Sequence, residues 1–505
     1  MNVQEMIQKS LDLIKTAQSK PLQKSFLEST VATSGLTYYD LEIGAKMLYP
    51  VLTPLRNMIP RVSARGGIQA NWRAVTGINV GQLSAGVSQG NRGGAVVHTT
   101  QDYIAAYRGL GLEDYVTFEA DYAAENFDDV KAIATRTLLE SLMLQEEVII
   151  LGGNSTQIAL GTAVAPTIVN NATGGTIPAG TYNVVLVALT YEGVNNANAN
   201  ATANGPVVQG LITRTNTDGS VDTYGGGSSL PSTATAVTTT GTTSSLEVDI
   251  PTWAAGAFGY AIYIGVGTAE ALWGIATSAG AVAGTGVLIT ALPAGGSQLL
   301  SALNTSQGGV DQSKNALVFD GLMSLALGSG SGSYVSNQGG VPLTGDGTGG
   351  VVEFDAMLKN RWDNYRLSPD MILLNSQEQE NISKKVLAGS AANSQRFMFT
   401  VDQTKIAGGT MVTSYRNKFS MNGAVELPLN LHPNMPPGVV LALTTRLPYP
   451  LSNVINVIQI RTRREYYQIE WPLRSRKYEY GVYCDEVLQH YFPPSMGIIY
   501  NIANG

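Results

Sequence analysis

The chain has 505 residues, more than one hydrophobic core usually serves, so at least two domains are expected. Charged residues make up 14%, against about 25% in an average soluble domain, and 56 residues are glycine, which suggests surfaces that face other protein more than water. A net charge of −7 argues against a generic nucleic-acid binder, the single Cys484 excludes an internal disulfide and a cysteine-based zinc site, and no apolar run is long enough to span a bilayer.

The first stretch, residues 3–19, carries Val3, Met6, Ile7, Leu11 and Ile14 on one side of a short helix that Lys20-Pro21 ends. It lacks the apolar core of a signal peptide, so a soluble protein made in a cytoplasm is expected. Pro50 and Pro54 cut up the pattern that follows. Residues 62–110 then alternate, as in Ile68, Ala70, Trp72 and Ala74 and again in Val96, Thr100 and Ile104, about a glycine-rich tip from Gly81 to Gly94. This predicts a long two-stranded hairpin, which has little core of its own and needs another surface to lie on.

Asn126 to Gly153 reads as one long helix, about 40 Å at roughly 1.5 Å per residue. Asn126 is the expected N-cap, Asp128 and Asp129 complement the helix dipole, and Gly152 and Gly153 are expected to supply a left-handed turn at its end. An apolar stripe (Val130, Ile133, Ala134, Leu138) widens until the second half is apolar almost all round, so the helix should begin on a surface and end buried.

Composition then changes abruptly. Residues 155–305 are Thr, Ala, Gly, Asn and Val, with Arg214 as their sole basic residue. Short strand-like runs, regular turns and no helix signal predict an all-β sandwich, and TYNVVLVALTYEG and AGAFGYAIYIGVG resemble strands of an immunoglobulin or fibronectin type III domain. After Gln307 helices are expected at Ala316–Ala326, Val352–Arg366 and Gln377–Ala388, a Gly/Ser loop at Gly328–Gly350, a buried strand at Pro369–Asn375, and strands from Thr410 onward. An α+β body interrupted by an all-β insert results.

The order of arm, hairpin, long helix and compact α/β part ending in strands resembles the major capsid proteins of tailed bacteriophages. Leu367–Gly389 (LSPDMILLNSQEQENISKKVLAG) is similar to the strand-then-helix of that family's axial domain, and Lys477–Ile502 to its closing strands; Leu48–Val62 looks like its N-arm. The resemblance covers about 350 residues outside the insert, by order and pattern rather than by any catalytic signature. It implies an N-terminal helix and N-arm at 1–61, an extended loop at 62–110, a peripheral domain with the spine helix at 111–154, the inserted immunoglobulin-like domain at 155–305, an axial domain at 306–450 and a return to the peripheral domain at 451–505. It further implies pentamers and hexamers of an icosahedral shell, enclosing double-stranded DNA through non-specific contacts. A separate scaffolding protein, a portal and room for a decoration protein go with it, as does a virion location after assembly in the host cytoplasm, with no membrane partner. Some members crosslink through a lysine of the extended loop. No lysine lies between Lys46 and Lys131, so no such crosslink is expected.

Several motifs favour plainer readings. Gly86-Val87-Ser88-Gln89-Gly90 matches GxSxG, but no helix pattern follows, so a hairpin tip is preferred. Gly345–Gly350 matches GxGxxG, but the preceding Asn337-Gln338-Gly339-Gly340 does not read as a strand. His98, His432 and His490 share no metal-ligand spacing. Adjacent Glu146 and Glu147 diverge on a helix and fit capping or intersubunit ion pairs better than acid/base work. No catalytic residue, metal or cofactor is therefore expected, and the chain reads as a structural protein rather than an enzyme.

The remaining cluster is basic and aromatic: Arg461, Arg463, Arg464, Arg474, Arg476 and Lys477 among Tyr466, Tyr467, Trp471 and Tyr478. Alternation splits these arginines between two faces of a strand, which favours subunit contacts over phosphate contacts. Ile68, Trp72, Arg73, Asp128 and Asp129 are the other expected intersubunit contacts. Two rival readings are an adhesin or tail-fibre-like protein that binds a surface glycan through the insert, and a cellular nanocompartment shell.

Overall fold

A computed structural model describes residues 48–78, 85–125, 128–388, 411–420, 423, 425–449 and 452–505. The helix expected at 3–19, Asn126 and the start of the hairpin tip lie outside them. The described chain is mixed α and β and forms two compact units, one drawing on residues 48–50 and 116–133, the other on 51–115 and 134–505.

The small unit holds the end of strand β4 (Arg108–Thr117), helix α2 (Phe118–Ala123) and the first residues of the long helix α3 (Val130–Gly152). Thr117 caps α2 by accepting a hydrogen bond from Ala120 N. Asp129 caps α3, its carboxylate accepting from Ala132 N at 3.0 Å, and Lys131 pairs with Asp121 at 2.8 Å. The cap is therefore Asp129, the second of the two acidic residues expected to serve only the dipole.

In the large unit a short helix α1 (Pro54–Met58) and strand β1 (Arg61–Ser63) lead into the hairpin β2 (Gln69–Ile78) and β3 (His98–Ala106). The hairpin is antiparallel from Gln69↔Ala106 to Ile78↔His98, with a bulge at Val75/Gly77. Strands β19 (Ile458–Glu470) and β20 (Lys477–His490) form a sheet in the order β1-β19-β20-β4, with β1 parallel to β19.

The body is a six-stranded sheet in the order β14-β21-β18-β15-β17-β16, built from β14 (Tyr334–Val341), β15 (Met371–Leu374), β16 (Ser414–Asn417), β17 (Val425–Leu431), β18 (Val440–Leu443) and β21 (Gly497–Ile502). Helix α7 (Val352–Tyr365) buries Phe354, Met357, Leu358 and Arg361, spaced to share one face. Its apolar members pack with Ile372, Leu427, Val440 and Ile499 of the sheet and Ile382 of α8 (Ser376–Ala388) in one core. Two expectations need correction here. The helix predicted at Ala316–Ala326 is only α6 (Leu322–Leu327), and the predicted Gly328–Gly350 loop contains strand β14, whose Tyr334–Asn337 pair in parallel with Gly497–Tyr500.

Residues 155–305 hold a sheet β12-β11-β6-β9, with β12 at Ala271–Ala276, a sheet β13-β10-β5 (Val287–Ile289, Ser245–Asp249 and Thr167–Asn171) and a hairpin β7-β8 (Leu211–Thr215 and Val221–Gly225). Strand β6 (Gly180–Leu189) is apolar and buried from Val184 onward; β11 (Gly259–Gly265) pairs along one edge, and on the other β9 (Thr235–Thr239) pairs up to Val184, after which the Ser232 and Ser229 hydroxyls accept from Leu186 N and Ala188 N. Contrary to expectation this stretch also contains helices, α4 (Tyr191–Ala199) and α5 (Leu300–Gln307). Helix α4 has poor helix formers, and capping by Thr190 with burial of Tyr191, Val194 and Ala197 overrides them.

The stretch is bonded to the body at several places. Asp320 accepts from Ser155 N and Thr156 N at 2.7 and 2.8 Å, Tyr191 Oη donates to the Asn434 carbonyl at 2.8 Å, and Asn501 exchanges two hydrogen bonds with the Ala279 backbone. Gly152 and Gly153 serve this junction. Neither adopts the left-handed conformation. Instead a Cβ on Gly152 would strike the Tyr191 ring, and one on Gly153 the Phe319 carbonyl. Gly152→Ala is therefore expected to cost about 1–3 kcal/mol by overpacking, read as a lower urea midpoint; an unchanged midpoint would contradict this account of the glycine.

Candidate assembly surface

Glu146 and Glu147 are both fully buried near the end of α3. Adjacent helix positions differ by about 100°, so the two carboxylates face different partners. Glu147 accepts from the first amides of α1, Leu55 N at 2.8 Å and Arg56 N at 2.7 Å, and bonds His432 Nε2 at 2.7 Å. Because His432 Nδ1 accepts from Asn434 N, Nε2 is the donor to Glu147. Glu146 accepts from Arg56 Nε at 3.0 Å and from Arg61 and Tyr466 Oη. Arg61 also donates to Glu486 at 2.8 Å, and both guanidiniums lie over the Tyr466 ring, at 5.2 and 5.1 Å. The intersubunit role expected for Glu146 and Glu147 is thus corrected: their partners belong to their own chain. Sequence reasoning missed Arg56, Arg61, His432 and Glu486, which lie between 85 and 340 positions away. The signal was the acidic pair itself, set in an apolar half-helix where a charge requires a partner.

This cluster fixes the segment from which the hairpin departs. Beyond that root the hairpin offers apolar side chains to solvent: Ile68 is 78% exposed, Val75 63%, Ile78 57% and Ile104 66%, while Ala70 is buried. Of its predicted contact residues, Trp72 stacks on Tyr103 at 5.6 Å and meets Tyr491 edge-on, and Arg73 pairs with Asp102 across the hairpin. Trp72 and Arg73 are therefore engaged within the chain, whereas the Ile68 side chain is exposed. The GxSxG stretch is a turn in which Asn91 bonds both the Ser88 carbonyl and Oγ.

The basic residues do not converge. Arg463 pairs with Asp485 at 3.0 Å and reaches the Gly67 carbonyl, while Arg464 lies 3.6 Å over the Tyr467 ring. Arg461 is partly buried, and Arg474 and Arg476 are exposed in the β19–β20 turn. Bulges on either side of Arg464 break the simple alternation read from sequence. Asp128 is half-buried in the small unit, where Asp129 caps α3.

No group of His, Cys, Asp and Glu suited to a metal occurs among the described residues. His98 is exposed on β3, and burial pushes His490 down to about 3. Cys484 is fully buried, and burial raises its thiol far above the ordinary range. At Gly345–Gly350 strand β14 does precede the loop and helix α7 follows, against the sequence reading. Yet Asp346 occupies the loop's donors, accepting from Thr348 N and Gly350 N at 2.7 Å each. These bonds outweigh its burial and hold it below the usual carboxylate range. A phosphate would meet that charge.

Replacing Glu147 by alanine strands two amides of α1 and His432 without an acceptor. A loss of roughly 3–5 kcal/mol is expected, measured by urea unfolding; a loss under about 1 kcal/mol would show the cluster to be marginal.

No family model matches the chain, and no curated protein does. Among solved structures it is similar to the capsid of Myoviridae phage XM1, with 10% identity over 92% of this chain and 96% of that one and a TM-score of 0.38. It is also similar to the holo-SrpI encapsulin complex from Synechococcus elongatus PCC 7942, with 7% identity over 91% and 92% and a TM-score of 0.36. The procapsid of satellite phage P4, which includes a size determination protein, gives 9% identity over 100% and 99% and a TM-score of 0.35. At such scores these likenesses carry no functional argument, which falls to the geometry of the chain itself.

Proposed function

We propose that this chain is the repeating subunit of a protein shell, and specifically the major capsid protein of a tailed bacteriophage. The observation that carries the proposal is the β2–β3 hairpin: a long, paired ribbon rooted on a buried ionic cluster, with Ile68, Val75, Ile78 and Ile104 turned to water. Four exposed apolar side chains on an element without a core of its own favour a protein surface that covers them. A second copy supplies such a surface in a self-assembling shell, and many weak contacts then sum through multivalency.

In this reading Ile68, Trp72, Arg73, Asp128, Asp129, Arg461, Arg463, Arg464, Arg474 and Arg476 contribute to contacts between subunits arranged as pentamers and hexamers. Arg474 and Arg476 are exposed in a turn, and in this reading they are the basic residues that meet packaged double-stranded DNA. A scaffolding protein, a portal and a decoration protein are the expected assembly partners, and the virion is the expected location. The insert, nearly free of lysine and arginine, suits an outer surface away from the genome. An adhesin needs a module that works free of its body, whereas this one is bonded to the body at Asp320, Asn434 and Asn501.

The test is assembly of the full-length chain, alone and with a co-expressed scaffolding protein, followed by sedimentation velocity and negative-stain microscopy. Closed shells, tubes or capsomer rings are expected from the unmodified chain, and folded subunits only from Val75→Asp/Ile104→Asp. Unimpaired assembly of that variant, or no assembly of the unmodified chain under either condition, would overturn the proposal.

A further inference from the structure

At the base of the hairpin a cavity of about 460 Å³ opens between β3, the end of β20, helix α6 and the 3₁₀ turn Pro493–Ser495. Ile104, Phe319, Leu325 and Leu488 give it apolar walls, and Trp72 of β2 and His490 of β20 line it as well. These last two carry side-chain nitrogens that nothing in the fold satisfies. Trp72 Nε1 and His490 Nε2 are both buried with no hydrogen-bond partner among the described residues, and His490 is only 2% exposed. Buried polar groups are nearly always paired, so two orphans on one cavity call for a partner that enters it.

Both orphans are donors. An indole N–H can only donate. The His490 proton sits on Nε2, because Nδ1 accepts from Phe492 N at 3.2 Å and burial keeps the ring neutral. Neither side chain is free to turn away. Trp72 stacks on Tyr103 and meets Tyr491 edge-on, and His490 ends the β20 ladder opposite Ile458. The charged residues on the wall are Arg108 and Asp320. Asp320 is occupied: its two oxygens already accept from Ser155 N, Thr156 N, Thr156 Oγ1 and Gln157 Nε2. Arg108 gives one N–H to Ser155 Oγ at 3.1 Å, and no carboxylate pairs with it among the described residues. The cavity thus offers donors, a positive charge without a counter-ion and apolar walls, but no open acceptor on its charged groups.

We propose that this cavity is a binding site for a small organic carboxylate, with Trp72, His490 and Arg108 as donors to its oxygens and Ile104, Leu325 and Leu488 against its apolar body. A carboxylate has acceptor sites enough for all three donors, and an ionised acceptor makes each bond stronger than a neutral one would. An amine would meet only other donors. A wholly apolar molecule would leave the two N–H groups and the guanidinium shut away from water without a partner. Water could serve the donors but would leave the apolar walls wet. This assignment rests on the geometry of one chain and not on the shell reading, and binding is measured on unassembled subunits, so either can fail without the other.

The experiment titrates the full-length, unassembled chain with octanoate, read by calorimetry and by the nitrogen-15 spectrum of the indole groups. The chain has five tryptophans, so the Trp72 resonance is the one missing from Trp72→Phe. One octanoate per chain is expected, with a dissociation constant of about 1 mM or below, and the Trp72 indole proton should move downfield. Octylammonium has the same body with donors in place of acceptors, and should bind about tenfold more weakly or worse. Trp72→Phe should weaken octanoate by about tenfold or more. Leu325→Trp, which fills the cavity, should abolish binding, whereas Trp471→Phe, at an exposed position outside it, should leave binding unchanged. Equal binding of the two probes, octanoate binding that survives Leu325→Trp, or no octanoate binding at all, which leaves the cavity to water, would overturn the proposal. Should Leu325→Trp or Trp72→Phe not fold, the unmodified chain still decides: the two probes must differ, and octanoate must move one indole resonance well beyond the other four.

Discussion

Two adjacent buried glutamates near the end of one long helix bind together parts of the chain that are far apart in sequence. Glu147 caps α1, and Glu146 gathers Arg56, Arg61 and Tyr466, while Arg61 passes the contact on to Glu486. Through them a helix near the N-terminus of the described chain, a parallel strand and two late strands are held to the end of α3. Buried charges of this kind contribute little net stability over a well-packed apolar core, but removing one partner is expensive. Their effect is to set one position for the arm, since no other placement satisfies three buried carboxylates at once.

A fixed root gives the hairpin its direction. Among the described residues the hairpin is held by its own ladder, the Arg73–Asp102 pair, the Trp72–Tyr103 stack and contacts with Tyr491 and, at Gly67, Arg463. Its apolar side chains Val75, Ile78 and Ile104 are largely exposed among the described residues. A rigid origin and an unsatisfied ribbon together are what a shell subunit needs. In the proposed shell, covering its exposed apolar side chains would drive association. Low charge and the bonded insert fit the same picture, in which much of the surface is given to protein neighbours.

Much of this architecture was legible in the sequence because it rests on local periodicity. The alternation about Ile68–Ala74 and Val96–Ile104 marked the hairpin, and a helix was expected at Val352–Arg366, where α7 lies. The elements misread were those where tertiary packing overrides local preference. Helix α4, rich in asparagine, exists because Tyr191 and Val194 are buried, and β14 because β21 pairs with it from far along the chain. Gly152 looked like a helix stop but is a point of close approach to Tyr191, a residue whose proximity no local pattern reveals. The ionic cluster was half legible. Glu146 and Glu147 stood out as charges in an apolar half-helix, but their partners could not be named from spacing. The expected contact residues divide likewise: Ile68 is free on the surface, whereas Trp72, Arg73 and Arg463 already have partners in their own chain.

The central claim is that the exposed face of the hairpin is covered by another copy of the same chain. A photo-crosslinking amino acid placed at Ile104, followed by irradiation of assembled protein and mass spectrometry of the products, tests it most directly. The account predicts covalent links between the hairpin of one copy and the surface of a second, absent from dilute unassembled subunits. Links confined to the same chain, at an unchanged yield whether or not the protein has assembled, would contradict it.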